Sequence, residues 1–139
     1  MTPRQLQLVR SSYAGLGDAR AMALDFYRRL FDLDPSAEAL FELGPDVMSV
    51  KFAAELEAIV EAITSYETFA PRVKDLAKRH VHYGVQPKHF RSVGEALIGA
   101  LSGHLAEIWD DELAAAWRRA FNLVAETMMA TMATGSTLP

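Results

Sequence analysis

The chain has 139 residues, half of them hydrophobic, which makes one ordinary domain with a real core and no room for a second cofactor-binding domain. Fourteen Lys and Arg against 18 Asp and Glu give a net charge of −4 with no basic run, so nucleic acid finds no electrostatic footprint. The absence of cysteine removes disulfides, thiolate nucleophiles and Cys-ligated zinc or iron–sulfur centres, leaving His, carboxylates, Tyr or a bound cofactor to carry any chemistry. The start, MTPRQLQLVRSSY, has no apolar core of signal-peptide length, and uncharged stretches such as Ala96 to Ala106 are too short to cross a bilayer. A cytoplasmic protein without membrane contact is expected.

The 22 Ala and 16 Leu outweigh 9 Val and 4 Ile, which favours an all-α fold. Apolar residues recur at three and four, and Pro3, Pro35, Pro45, Pro71 and Pro87 each stand where such a pattern begins. Leu6, Val9, Tyr13 and Leu16 predict a first helix, and Met22, Phe26, Tyr27, Leu30 and Phe31 a second, capped by Asp18. A short piece from Pro35 to Phe41 follows, ending at Leu43-Gly44. Then come a long helix from about Asp46 to Thr64 and another from about Phe69 to His82. Gln86-Pro87 opens a helix carrying Phe90, Val93, Leu97, Ile98, Leu101 and Leu105. Asp110-Asp111 caps the last, which carries Leu113, Trp117, Phe121, Val124 and Met128. Seven helical pieces are too many for a four-helix bundle. They make one domain, residues 1–133, with 134–139 expected as a disordered tail.

His80 stands out from its surroundings. Ala77, Leu76, Val73 and Phe69 precede it by three, four, seven and eleven residues, so the imidazole shares their apolar stripe, while Lys74, Asp75, Lys78 and Arg79 take the opposite side. A titratable ring there is either a hydrogen-bonded core histidine or a ligand to something held in a pocket. The pair His80 and His82 has the wrong spacing for one helical face, and His82, His89 and His104 read as solvated or capping residues.

The stretch Leu76-Ala-Lys-Arg-His80-Val-His-Tyr-Gly84-Val85-Gln-Pro-Lys-His89-Phe90 resembles the proximal haem-binding segment of bacterial single-domain globins and of the globin domain of flavohaemoglobins. Phe26-Tyr27-Arg-Arg-Leu30-Phe31, Pro35 through Leu40-Phe41, Val93-Gly94-Glu95-Ala96-Leu97 and Ala116-Trp117 carry the resemblance over essentially the whole chain. It implies a globin fold, a three-over-three helical sandwich around haem b (iron protoporphyrin IX). In that fold His80 is the axial iron ligand and Phe41 stacks on the porphyrin. Leu76, Val85, Phe90 and Val93 line the proximal wall, although ordinary core packing accounts equally well for the aliphatic ones. Lys51 and Arg79 flank the pocket as candidates for the propionates, with Tyr83 a weaker one.

On the distal side Tyr27 matches the tyrosine of the family and is the one evident donor to a bound gas. Met48 stands where Gln or His is usual and cannot donate a hydrogen bond. Phe52, one turn on, takes a position usually held by Leu. The Met48 thioether is an alternative sixth ligand to iron, a His/Met pair suited to electron transfer. Flavohaemoglobins also make the axial imidazole more basic through a Tyr and a Glu. Here those positions are Phe90 and Met132, which leaves the second ring nitrogen of His80 to a backbone carbonyl near Leu76.

The resemblance implies reversible binding of O2, or of NO or CO, for oxygen storage or delivery, in a monomer or homodimer. The alternatives are a nitric oxide dioxygenase or peroxidase-type enzyme supplied by an external reductase, and a gas or redox sensor or electron carrier.

Overall fold

A computed structural model describes residues 1–41 and 43–136, and its described residues form six α-helices and two short 3-10 turns. The helices are α1 (Pro3–Ala14), α2 (Ala19–Leu33), α3 (Pro45–Ala62), α4 (Tyr66–His82), α5 (Phe90–His104) and α6 (Asp111–Ser136). One 3-10 turn, Pro35–Leu40, joins α2 to α3, and the other, Pro87–His89, leads into α5.

Local chemistry sets most of the boundaries. Thr2 and Gln5 form a reciprocal capping box at α1, the Gln5 N–H donating to Thr2 Oγ1 at 3.1 Å and the Thr2 N–H to Gln5 Oε1 at 3.0 Å. Asp18 accepts from the Ala21 N–H at 2.9 Å and Asp110 from the Leu113 N–H at 2.8 Å, so both expected aspartate caps are present.

Four boundaries depart from expectation. The piece from Pro35 is a 3-10 turn closing at Leu40. Pro87 opens a 3-10 turn, and α5 proper begins at Phe90. Pro71 lies inside α4, which begins at Tyr66. Its missing N–H orphans the Glu67 carbonyl, but both residues are exposed and water can replace the lost donor. At the other end α6 continues through Ser136, three residues into the segment expected as a tail, one turn beyond the core contact of Met132. Residues 137–139 lie outside the described ones.

The helices form two layers. In one, α3 packs against α1 and α4; in the other, α5 packs against α2 and α6. Contacts of α2 with α3, of α4 with α6 and of α1 with α6 join the layers. The core between them holds Met22, Phe26, Leu30, Ile59, Phe69, Val73, Leu97, Leu101 and Trp117. Each side chain of this kind is worth roughly 1.5–3 kcal/mol when fully buried. At the α5–α6 crossing a Cβ on Gly94 would lie 2.7 Å from a ring carbon of Phe121, so any larger residue there would force that ring to shift. No helix among the described residues is long and apolar enough to cross a membrane.

Two polar ties fix α1. The fully buried Trp117 donates its indole N–H to Ser12 Oγ at 2.9 Å, and that hydroxyl in turn donates a hydrogen bond to the Val9 carbonyl at 3.1 Å. The Tyr13 hydroxyl donates to the Ala53 carbonyl on α3 at 3.0 Å.

The end of α4 is equally specific. The Gly84 N–H donates to the Val81 carbonyl and the Val85 N–H to the His80 carbonyl, each at 3.0 Å, while Gly84 has φ +88°. This is a Schellman motif, and its left-handed residue favours glycine because a Cβ there meets the following carbonyl.

Ser12→Ala is expected to cost about 1–3 kcal/mol, because the Trp117 N–H stays buried without a partner. In a Trp117→Phe background the same change should cost much less; urea unfolding of the four proteins of this cycle measures the difference. Gly84→Ala should cost about 1–2 kcal/mol in the same assay, the penalty of an L residue in the left-handed region.

Candidate functional site

The stripe that drew attention to His80 is realised: Phe69, Val73, Leu76 and Ala77 are buried on α4, and His80 continues the line half-buried near its end. The His80 Nδ1 lies 2.8 Å from the Leu76 carbonyl, and since a carbonyl can only accept, Nδ1 carries the proton. Nε2 then holds the lone pair, and it has no protein partner among the described residues. Burial pushes the imidazole below its ordinary range, with the neighbouring Arg79 adding to the effect; the bond to Leu76 and the charge of Glu55 oppose it. At neutral pH the ring is therefore neutral, in one tautomer, with its acceptor nitrogen open. Those are the properties an axial imidazole needs, so the donor chemistry fits iron in a haem.

Tyr27 lies at the centre of an aromatic cluster from three elements. Its ring centroid is 4.9 Å from Phe26, 5.3 Å from Phe41, 5.7 Å from Phe52 and 6.0 Å from Phe31. Phe26 stacks on Phe52 at 4.3 Å, and Phe31 meets Phe41 at 5.4 Å. Burial raises the Tyr27 hydroxyl well above the ordinary phenol range, so it remains a protonated donor. Among the described residues it has no hydrogen-bond partner, although every fully buried side-chain N or O there has one. The oxygen therefore keeps contact with open space, and the alternative of a tyrosine tied to a backbone carbonyl is not realised.

The structure thus brings Tyr27, Phe41 and Phe52 together and sets His80, Leu76 and Val85 along the end of α4. Phe90 is buried, Val93 and Met48 are partly buried against the core, and Met132 joins them from α6. Lys51 is exposed on α3. Arg79 is already engaged, by Glu55 and by Asp75, each at 3.3 Å. Tyr83 is exposed with its ring 6.3 Å from that of His80. His89 is a capping residue, its Nδ1 accepting from the Gln86 N–H at 2.9 Å. Phe26 and Phe31, which the sequence marks as positions of the second helix, also enclose Tyr27, and Glu55 carries no sequence signal because no helical periodicity encodes its partners on α4.

Known proteins share this fold. The Globin family model matches residues 24–128. An anaerobic nitrite reductase of Physcomitrium patens is 30% identical over 91% of this chain and 79% of its own length. A flavohemoprotein of Xylella fastidiosa is 27% identical over 91% of the chain, which spans about a third (33%) of that longer protein. Among solved structures, an engineered carbene transferase, made from a Rhodothermus marinus protein provisionally named a nitric oxide dioxygenase, superposes with a TM-score of 0.88. It is 28% identical, with 98% of this chain and 96% of that one covered. The all-α architecture, the imidazole with its Nε2 open and these relationships converge: this chain belongs to the globin family of haem-binding proteins.

Proposed function

We propose that this globin holds haem b and reversibly binds a diatomic gas, foremost O2, between His80 and Tyr27, as an oxygen store or carrier. The observation that carries the reading is the His80 imidazole, pinned through Nδ1 to the Leu76 carbonyl with Nε2 unengaged on an apolar stripe. Haem, when bound, supplies an iron that takes diatomic gases reversibly and that can also support oxidation of nitric oxide or activation of peroxide.

The residues decide how far such chemistry goes. His80 Nε2 would hold the haem iron. Its second nitrogen donates to a neutral carbonyl rather than a carboxylate, so the imidazole pushes less charge toward the metal. Phe90 and Met132, at the positions occupied by Tyr and Glu in flavohaemoglobins, add no such partner. Both features favour reversible binding over cleavage of an O–O bond. Leu76, Val85, Phe90 and Val93 would line the proximal face and Phe41 and Phe52 the distal one, excluding water. Lys51 is the exposed cation available to a propionate. Tyr27 donates a hydrogen bond to the polar end of the gas, and Met48, which cannot donate, adds a polarisable apolar wall.

A nitric oxide dioxygenase is the second reading, favoured by the name given to the Rhodothermus marinus protein at 28% identity. Its electrons would come from a reductase lying outside these 139 residues.

Purified protein should show a Soret band that shifts with CO. His80→Gly should lose the five-coordinate ferrous spectrum and regain it with added imidazole; a wild-type protein without a Soret band after reconstitution would sink the proposal. Tyr27→Phe should speed O2 dissociation roughly 5- to 150-fold, the value of a hydrogen bond to a partly charged partner, with CO much less affected. Flash photolysis and stopped flow read both rates. Catalytic nitrate formation from NO and O2 with an added reductase would move the assignment to the second reading.

A further inference from the structure

Helices α3 and α4 form a hairpin whose corner lies at residues 63–65, between the end of α3 at Ala62 and the start of α4 at Tyr66. Met48 and His80 stand sixteen residues on either side of Thr64. At 1.5 Å per residue both lie roughly 22 Å from the corner, on the two arms of the mouth. The corner holds one end of the hairpin, and something else must limit how far the arms part.

Glu55 on α3 and Arg72 on α4 stand at matching depths, nine residues before Thr64 and eight after it. The carboxylate uses both oxygens across the gap: Oε2 meets Arg72 Nη1 at 3.4 Å and Oε1 meets Arg79 Nη2 at 3.3 Å. Arg79 immediately precedes His80, and its Nε is braced by Asp75 at 3.3 Å. The Glu55 side chain is 24% exposed, less than Arg72 at 43% and Arg79 at 46%, so the shared carboxylate is the best shielded member of the group.

We infer that Glu55 is a positioning residue: by strapping α3 to α4 through Arg72 and Arg79 it sets the width of the slot between Met48 and His80. This rests on the reading that haem occupies that slot. Arg79 then serves the hairpin and the placement of His80 rather than a propionate. Partly exposed pairs of this sort are each worth a factor of roughly 1.5 to 5 in an equilibrium and are screened by salt. Two pairs on one carboxylate therefore shift the population of parted arms several-fold without deciding whether the domain folds.

The chain has no cysteine, so Val47→Cys and Lys78→Cys, both at exposed positions, give a unique pair of spin-label sites near the two ends of the mouth. Pulsed EPR on this pair, with Glu55 and with Glu55→Gln, is run before and after haem reconstitution. Haem transfer to excess apomyoglobin is measured alongside. At low salt Glu55→Gln should broaden the label distances toward longer values and speed haem loss roughly 3- to 10-fold. In about 1 M NaCl the Glu55 protein should converge on the variant, which itself changes little with salt. The triple variant Glu55→Arg, Arg72→Glu, Arg79→Glu should restore the narrow distribution.

Unchanged distances overturn the inference, even if Glu55→Gln lowers the urea midpoint, because the residue would then be an ordinary surface pair. Parted arms with unchanged haem loss also overturn it, since the strap would not serve the slot. Failure of the parent protein to take up haem overturns the functional reading instead, while the label distances still decide whether the strap exists.

Discussion

The contact between His80 Nδ1 and the Leu76 carbonyl, 2.8 Å long and one helical turn deep, is the constraint on which the site turns. It chooses the tautomer, aims the ring and leaves one nitrogen open in an apolar setting. The Schellman turn at Gly84 secures the same residue from the other side, because its outer hydrogen bond accepts at the carbonyl of His80. Backbone and side chain of one histidine are thus fixed by independent local devices. Neither involves a carboxylate, so the ring is held firmly without being made strongly basic.

The opposite wall is built on another principle. Four phenylalanines surround Tyr27, and the position on α3 where a hydrogen-bonding residue is usual carries Met48. In such surroundings a single hydroxyl has a large effect, since a low local dielectric strengthens a hydrogen bond. The phenylalanines also raise the energy of the tyrosinate, which keeps the donor a donor across the physiological range.

What the sequence made legible follows the range of the interaction. Asp18 and Asp110 cap within three residues of themselves, and the buried stripe of α4 repeats every turn, so local pattern was enough to place them. Pro71 misled because proline marks helix starts statistically, while near an exposed first turn it is also tolerated inside. Pro87 has the residue type of a helix start, yet three residues of 3-10 geometry come first, closed by the ring of His89. The expectation of haem rested on a family resemblance carried by segments spread over the chain. The partners of Ser12, Tyr13 and Glu55 were not, because a hydrogen bond to a residue tens of positions away leaves no periodic trace.

That difference in range also orders the chain in time. The Glu55–Arg72 pair closes a segment of 17 residues, whereas the bond between Trp117 and Ser12 joins positions 105 apart. Loop-closure entropy makes the longer closure costlier by about 1.6 kcal/mol. The hairpin of α3 and α4 is therefore the cheaper closure, while α1, which also meets α3 through Tyr13 and Ala53, gains its tie to Trp117 only once α6 is in place. During synthesis α1 emerges well ahead of α6, so the buried hydroxyl of Ser12 meets its indole partner only when most of the described chain has been made.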